Sequence, residues 1–212
     1  MIPFIPFSQI AEEDKKEYSL VEYARGGEIF RHENTALGTF DMSELQQGIG
    51  SFKLKIPKIP QYVITGILGF FVKVFHAYNT EVAVQLFYDL EEKEYFVYLP
   101  KQRVAYATVN FERSVELEFD DRYILCADIH SHGKISAFFS AVDDADEKGT
   151  RLFGVAGGFP GNPSFLVRAG SGGYFHDLEL KEVIDFSQSD NDRSEEIKEN
   201  LWAEQDEALS FL

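Results

Sequence analysis

The sequence is short of cysteine and of basic residues. Cys126 is the only cysteine among 212 residues, which excludes a disulfide framework within the chain. Because it lies in an apolar run over residues 123–127, we expect a buried core thiol rather than a nucleophile. The chain has 20 basic and 36 acidic residues, a formal net charge of −16. Phosphate contacts require a basic surface, so we expect no nucleic-acid partner.

Long apolar runs are also missing. The longest one, residues 63–72, is far shorter than the roughly 20 residues that cross a bilayer as a helix. The apolar residues 1–7 are not preceded by a basic segment and do not continue into a long apolar stretch, so they do not resemble a signal peptide. We therefore expect a cytoplasmic protein with no membrane partner.

Apolar and aromatic side chains are abundant enough to build a folded core. Apolar residues make up 44% of the chain and aromatic residues 15%, which excludes global disorder. The pattern divides the chain into three zones. Residues 1–55 are predicted to be an N-terminal extension or small lobe, residues 56–186 the core, and residues 187–212 an acidic C-terminal helix.

Hydrophobic periodicity in the core predicts a mixed α+β domain, with a single mixed sheet flanked by helices. A helix is predicted over residues 61–79, and a second helix is predicted to begin at Ser140. The predicted strands cover residues 81–88, 95–99, 105–111, 123–129, 151–156, 164–168 and 173–176.

The pair His130 and His132, followed by Ser140 and Asp143, is the most informative pattern in the chain. Two histidines one residue apart on an extended strand direct their imidazoles to the same side. A carboxylate from the following loop can close a third corner. Two nitrogen ligands and one oxygen ligand suit zinc, and three protein ligands leave a fourth position open for water. The pattern therefore predicts a catalytic metal site.

This spacing resembles the signature of the JAMM (MPN+) zinc metalloprotease family, and most of all its bacterial branch. The resemblance implies a JAMM-like core, which is a cytidine-deaminase-like α/β sandwich. It also implies that His130, His132 and Asp143 bind zinc, while the Ser140 hydroxyl stabilises an oxyanion. The family places a catalytic glutamate near the junction of its first helix and first strand. Glu81 occupies that place here, so its implied role is that of the general base.

Two departures from the family pattern concern the shape of the cleft and the substrate. Many members have proline directly after the second histidine, where this chain has Gly133. The glycine-containing pattern that often follows the catalytic glutamate is replaced by residues 82–87, which contain no glycine.

Several neighbours of the motif have alternative interpretations. Ser140 also fits a helix N-cap. Asp144 and Asp146 are either second-choice ligands or part of a solvated acidic face. Of the two phenylalanines before Ser140, we expect one to anchor the loop and the other to line a cleft. Residues 133–136 are expected to form a mobile lip and residues 157–163 an ordinary hairpin turn.

The expected function is that of a zinc-dependent metallopeptidase or isopeptidase. The expected substrate and partner is a protein or peptide, such as the tail of a ubiquitin-like protein. Two alternatives stay open: a catalytically silent MPN-like binding module, and a zinc amidase that acts on a small or cell-wall peptide.

Overall fold

The computed structural model describes residues 20–25, 28–43, 50–105, 108–111, 115–118 and 120–211. The strands are β1 (Leu20–Arg25), β2 (Glu28–Asn34), β3 (Gly38–Ser43), β4 (Gly50–Leu54), β5 (Ile59–Pro60), β6 (Ala83–Asp89), β7 (Glu94–Tyr98), β8 (Gln102–Ala105), β9 (Thr108–Phe111), β10 (Tyr123–Ser131), β11 (Arg151–Gly157), β12 (Ser164–Ser171), β13 (Tyr174–Leu178), β14 (Ile184–Asp185) and β15 (Leu209–Phe211). The helices are α1 (Gln61–Tyr78), α2 (Val115–Glu118), α3 (Ala141–Asp146), α4 (Leu180–Val183) and α5 (Asn191–Ala208).

Six strands form the central sheet, in the order β13-β12-β11-β10-β6-β7. Only the pair β10 and β11 is parallel; the other neighbours in this sheet are antiparallel. Two consecutive parallel strands need a crossover connection, because a tight turn would make the second strand antiparallel to the first. Residues 132–150 provide that crossover, and α3 lies within it.

The mixed α and β class is confirmed, but the prediction of a single sheet is wrong. The described part of the chain contains a four-stranded, a three-stranded and a two-stranded sheet besides the central one. The predicted strand over residues 105–111 is also wrong as one element. Ala105 is the last residue of β8, and residues 108–111 form β9, which pairs with β8 in the antiparallel direction.

The four-stranded sheet is an antiparallel meander in the order β1-β2-β3-β4. Leu37 and Phe40 are buried in the main core, and the Phe52 ring packs against Phe40 with centroids 4.8 Å apart. Thr150 donates a hydrogen bond to Glu33 at 2.8 Å, which joins this sheet to the crossover. Residues 1–19, including the apolar residues 1–7, lie outside the described residues.

The two faces of the central sheet differ in character because side chains alternate along each strand. In β6 and just before it, Val82, Val84, Leu86 and Tyr88 belong to the main hydrophobic core. The intervening positions include Glu81, Gln85 and Asp89, which are buried polar residues. We call the first face the apolar face and the second the polar face.

Helix α1 covers the apolar face. It follows Pro60 and ends at Asn79, whose left-handed backbone (φ 53°) terminates the helix as a C-cap. The predicted helix over residues 61–79 is therefore confirmed. Its buried residues are Tyr62, Val63, Ile64, Gly66, Ile67, Phe70, Phe71, Val74 and Phe75.

Helix α5 packs against the outer side of α1. Leu201 and Ala208 are buried, and Trp202 stacks on Tyr78 with ring centroids 6.1 Å apart. Beyond α5, β15 pairs in parallel with β8. No helix in the described ranges is both long and apolar enough to cross a bilayer. Cys126 is fully buried, as predicted.

Candidate metal centre

Three side chains converge where β10 ends. His130 lies in β10, His132 follows its last residue, and Asp143 lies in α3. The Nε2 atoms of the two histidines are 3.0 Å apart. The Nε2 atom of His130 is 3.4 Å from Asp143 Oδ1, and that of His132 is 3.8 Å from Asp143 Oδ2. Within the described ranges this is the only such group of three that could hold a metal ion.

The geometry and the chemistry of these donors fit zinc. Tetrahedral ligands at about 2.0–2.1 Å from a zinc ion lie about 3.3 Å from one another. The separation of 3.0 Å between the two Nε2 atoms and that of 3.4 Å between His130 Nε2 and Asp143 Oδ1 both lie close to that value. Burial lowers the pKa of His130 and of His132, although the charge of Asp143 opposes this. Both imidazoles are therefore neutral at pH 7, which is the form that binds a metal.

Glu81 lies on the same side of the sheet, two residues before β6 begins. Burial first, and the charge of Asp143 second, raise the pKa of Glu81 to about 7. The Glu81 N–H donates to the Ala105 carbonyl at 2.9 Å. Its neighbour Val82 donates its N–H to the Ser131 hydroxyl at 3.1 Å, and the Ser131 N–H donates to the Val82 carbonyl at 3.0 Å. The residue between the two histidines thus fixes the backbone beside Glu81.

Gln102 holds the same segment from the other side. Its side-chain Oε1 accepts from the Ala83 N–H at 2.8 Å, and its Nε2 donates to the Ala83 carbonyl at 2.9 Å. The Gln102 amide therefore makes the two hydrogen bonds that the backbone of a neighbouring strand would otherwise make with Ala83. Sequence reasoning missed both Gln102 and Ser131. Gln102 is flanked by Lys101 and Arg103, and Ser131 by two histidines, so the sequence gives no sign that either polar side chain is buried.

Ser140 is the N-cap of α3, as one of its two interpretations predicted. Its Oγ accepts from the Asp143 N–H at 3.2 Å, and Asp143 Oδ2 accepts from the Ser140 N–H at 2.6 Å. This reciprocal pair is a capping box with aspartate in the place of the usual glutamate. Its consequence is local: the cap itself orients the Asp143 carboxylate, whose other oxygen faces His130.

The loop after His132 is braced rather than a free lip. The Gly158 N–H donates to the Ile135 carbonyl at 2.8 Å, and the Phe159 N–H donates to the Gly133 carbonyl at 2.9 Å. A side chain at Gly157 would overlap the Ile135 carbonyl oxygen, so glycine permits this close approach. The turn after β11 is therefore a support for the loop, not merely the ordinary hairpin turn that was expected.

Gly133 explains one departure from the family pattern. Its φ of +54° lies in the left-handed region. Proline cannot adopt this conformation, because its ring fixes φ near −65°. The Phe75 ring lies 3.1 Å from where a Cβ of residue 133 would be, which also favours glycine. The loop here therefore leaves the second histidine by a path that proline excludes.

A cavity of about 530 Å³ opens beside the three converging side chains. All five residues singled out from the sequence line it, namely Glu81, His130, His132, Ser140 and Asp143. The apolar part of its wall includes Val109 and Phe111 from β9 and the exposed side chains of Ile135, Phe138 and Val142. The β9 wall was missed because its residues match no motif.

The remaining alternatives near the motif are resolved by contacts. Phe138 lines the cavity, and its ring meets His132 edge-on with centroids 4.8 Å apart. Phe139 instead packs over the guanidinium of Arg168. Asp144 pairs with Arg168 at 2.6 Å, and Asp146 is an exposed residue of the cavity wall. Neither aspartate belongs to the group of converging side chains.

Comparison with known proteins adds no further indication. No family model matches the chain, and no curated protein matches it. The resemblance to JAMM proteases therefore depends on the motif residues and on their arrangement.

Proposed function

We propose that the chain is a zinc-dependent metallopeptidase or isopeptidase of JAMM type, with a JAMM-like core. One observation carries the proposal: His130, His132 and Asp143 converge at a cavity that Glu81 and Ser140 also line. Glu81, which lies 49 residues before His130, would supply a proton carrier beside the metal-binding group and the Ser140 hydroxyl.

His130, His132 and Asp143 are the residues that would hold zinc, leaving one side of the site toward the cavity. The chemistry that zinc supplies when bound is polarisation of a carbonyl group and a lower pKa of a coordinated water. The chain holds these ligands in place before binding, because β10 fixes His130 and the capping box fixes Asp143. Such preorganisation reduces the free energy needed to order the site.

Glu81 is the proposed general base. It takes a proton from the attacking water and passes it to the leaving nitrogen, which requires a group that both accepts and donates near pH 7. Glu81 fits this role because it is buried, lines the cavity and is held by backbone hydrogen bonds on both sides.

Ser140 is the proposed oxyanion donor. Its oxygen accepts from the Asp143 N–H, so its own hydrogen can be directed toward the cavity that it lines. A donor of this kind contributes about 2–4 kcal/mol of transition-state stabilisation in other hydrolases.

The proposed substrate is a peptide or isopeptide bond at a protein tail, such as that of a ubiquitin-like protein, in the cytoplasm. The cavity of about 530 Å³ is within the usual range of ligand-binding pockets. Its apolar lining, which includes Val109 and Phe111 of β9, suits side chains that flank a scissile bond.

The test combines metal analysis with turnover of ubiquitin-like fusions, linear peptides and cell-wall peptides. We expect one zinc per chain, and in Glu81→Gln a loss of activity of about 100-fold or more with the metal retained. Glu92→Gln is the control, because the Glu92 side chain is 73% exposed in a hairpin turn. Full activity of Glu81→Gln would exclude the assigned base. A partner complex that forms in the presence of a chelator, without any turnover, would favour the silent binding module.

A further inference from the structure

Arg168 is a buried cation in the middle of β12. Its side chain is only 5% exposed. The guanidinium lies between two aromatic rings, 3.9 Å from the centroid of Phe139 and 3.6 Å from that of Phe175. Cations favour the faces of aromatic rings, and a buried charge is retained only where it is paired. Phe175 belongs to the neighbouring strand β13, whereas Phe139 belongs to the crossover that carries the candidate metal centre.

The charged partners of Arg168 come from the crossover as well. Its Nη1 donates to Asp144 Oδ1 at 2.6 Å. Its Nε and Nη2 both donate to Glu147 Oε2, at 3.0 and 2.5 Å. Together with the contact to Phe139, these hydrogen bonds mean that Arg168 contacts residues both before and after Asp143 in the chain.

These contacts matter because α3 has little else to hold it. The helix spans only Ala141–Asp146, and it has no buried residue of its own. Apolar packing therefore cannot fix its distance from the sheet. The Asp143 carboxylate nevertheless lies within 4 Å of the imidazoles of His130, in β10, and of His132, just after it.

We propose that Arg168 is a positioning residue that holds Asp143 against His130 and His132 by joining α3 to β12. The inference rests on the proposed function, since it assumes that these three side chains bind a metal. Residues that orient metal ligands without touching the metal commonly change its affinity by about 10-fold to 100-fold when they are replaced.

Arginine is required here rather than any cation. Its planar group can stack between two rings while its fixed donors reach two carboxylates in different directions. The ammonium group of lysine keeps the charge, but it can neither fill the space between Phe139 and Phe175 nor serve Asp144 and Glu147 with the same geometry. Arg168→Lys therefore separates positioning from simple charge.

The test uses Co²⁺ as the probe, because its visible absorption bands report the coordination geometry directly. The metal-free protein is titrated with Co²⁺, and zinc affinity is measured by competition with a chelator. We expect Arg168→Lys to lower the affinity about 10-fold or more and to change the band intensities, while its far-ultraviolet circular dichroism stays that of the wild type. The matched control is Arg151→Lys, which alters a buried arginine of β11 whose ion pair, at 3.2 Å, is with Asp128 of β10. It should leave the cobalt spectrum unchanged.

A second variant approaches the same contact from the crossover. Glu147→Gln keeps Arg168 and removes one of its charged partners, so we expect a smaller loss of Co²⁺ affinity in the same direction. This variant decides the question if Arg168→Lys does not fold. Wild-type affinity and spectra in Glu147→Gln and in folded Arg168→Lys would overturn the inference while leaving the proposed function intact. Absence of Co²⁺ binding by the wild type would overturn both.

Discussion

Helix α1 and helix α3 lie on opposite faces of the central sheet and are held there by different interactions. Helix α1 has 18 residues and buries an apolar side against the sheet. Helix α3 has six residues, none of them buried. Ion pairs from Asp144 and from its C-cap residue Glu147 to Arg168 join it to the sheet. Burial is shared among many side chains, whereas the polar contacts are few and directional. The comparison indicates that the apolar face supplies stability and that the polar face supplies the geometry of the site.

The largest effect on stability is expected from a substitution in the core that covers the apolar face. Phe71 is fully buried in α1, so Phe71→Ala should lower the free energy of unfolding by about 3–5 kcal/mol through lost burial and a new cavity. Denaturant unfolding measures this change. Phe186→Ala is the control, because Phe186 is 51% exposed and its loss should change stability by less than about 0.5 kcal/mol. Equal losses in the two variants would contradict the assignment of the core.

A smaller effect is expected where the turn after β11 supports the loop of the polar face. In Gly157→Ala the new methyl group would overlap the Ile135 carbonyl oxygen, so the backbone must shift. We expect a loss of about 1–3 kcal/mol in the free energy of unfolding, together with weaker Co²⁺ binding. In Gly161→Ala the nearest atom would be 3.8 Å away, and neither quantity should change. An unaltered Co²⁺ affinity in Gly157→Ala would show that the loop does not position His132.

The cap of α3 allows a still finer test. Ser140→Ala removes the acceptor of the Asp143 N–H, which should cost about 1 kcal/mol of local stability. Because α3 buries no residue, we expect faster hydrogen exchange at the Asp143 amide rather than global unfolding. Ser140→Thr keeps a hydroxyl group and should restore slow exchange. Rapid exchange in both variants would argue against the cap.

The smallest effect concerns the far end of the polar face. Hydrogen bonds from Arg122 lower the pKa of Asp89 to about 2. Since an unfolded aspartate has a pKa of about 3.9, the pair stabilises the fold fully above that pH and loses its contribution as the pH falls toward 2. We expect Asp89→Asn to show a flatter dependence of Tm on pH between about 4 and 2. Thermal unfolding in that range measures the slope, and Arg122→Met should flatten it similarly. An unchanged slope in both variants would contradict the ion pair.

The apolar face was easier to predict from the sequence than the polar face. The helix over residues 61–79 is confirmed, because an apolar side repeated over several turns is a strong local signal. Strand β10 and the convergence of His130, His132 and Asp143 were also accessible, since strand alternation and loop spacing place these side chains together. The capping box at Ser140 depends on residues only three positions apart, and it too has a local signature.

What the sequence did not indicate depends on contacts between distant residues. The Gln102 side chain bonds to the backbone of Ala83, 19 residues earlier. Arg168 binds α3, which lies more than 20 residues earlier in the chain. Neither contact has a sequence pattern, because the partners come together only through the order of strands in the sheet. That Ala105 belongs to β8 and residues 108–111 to β9 was missed for the same reason: the pattern of this segment marks no boundary between two strands.

Strand β15, which directly follows α5, connects that helix to β8 and its residue Gln102. This short strand pairs with β8, and the Ser210 hydroxyl donates to the Gln102 carbonyl at 3.1 Å. Gln102 in turn grips Ala83, two positions beyond the proposed base. Removal of residues 209–211 would take away the strand that pairs with β8 and would weaken the support of Gln102, which binds Ala83. Residues 209–211 therefore support, through Gln102, the backbone segment that carries Glu81.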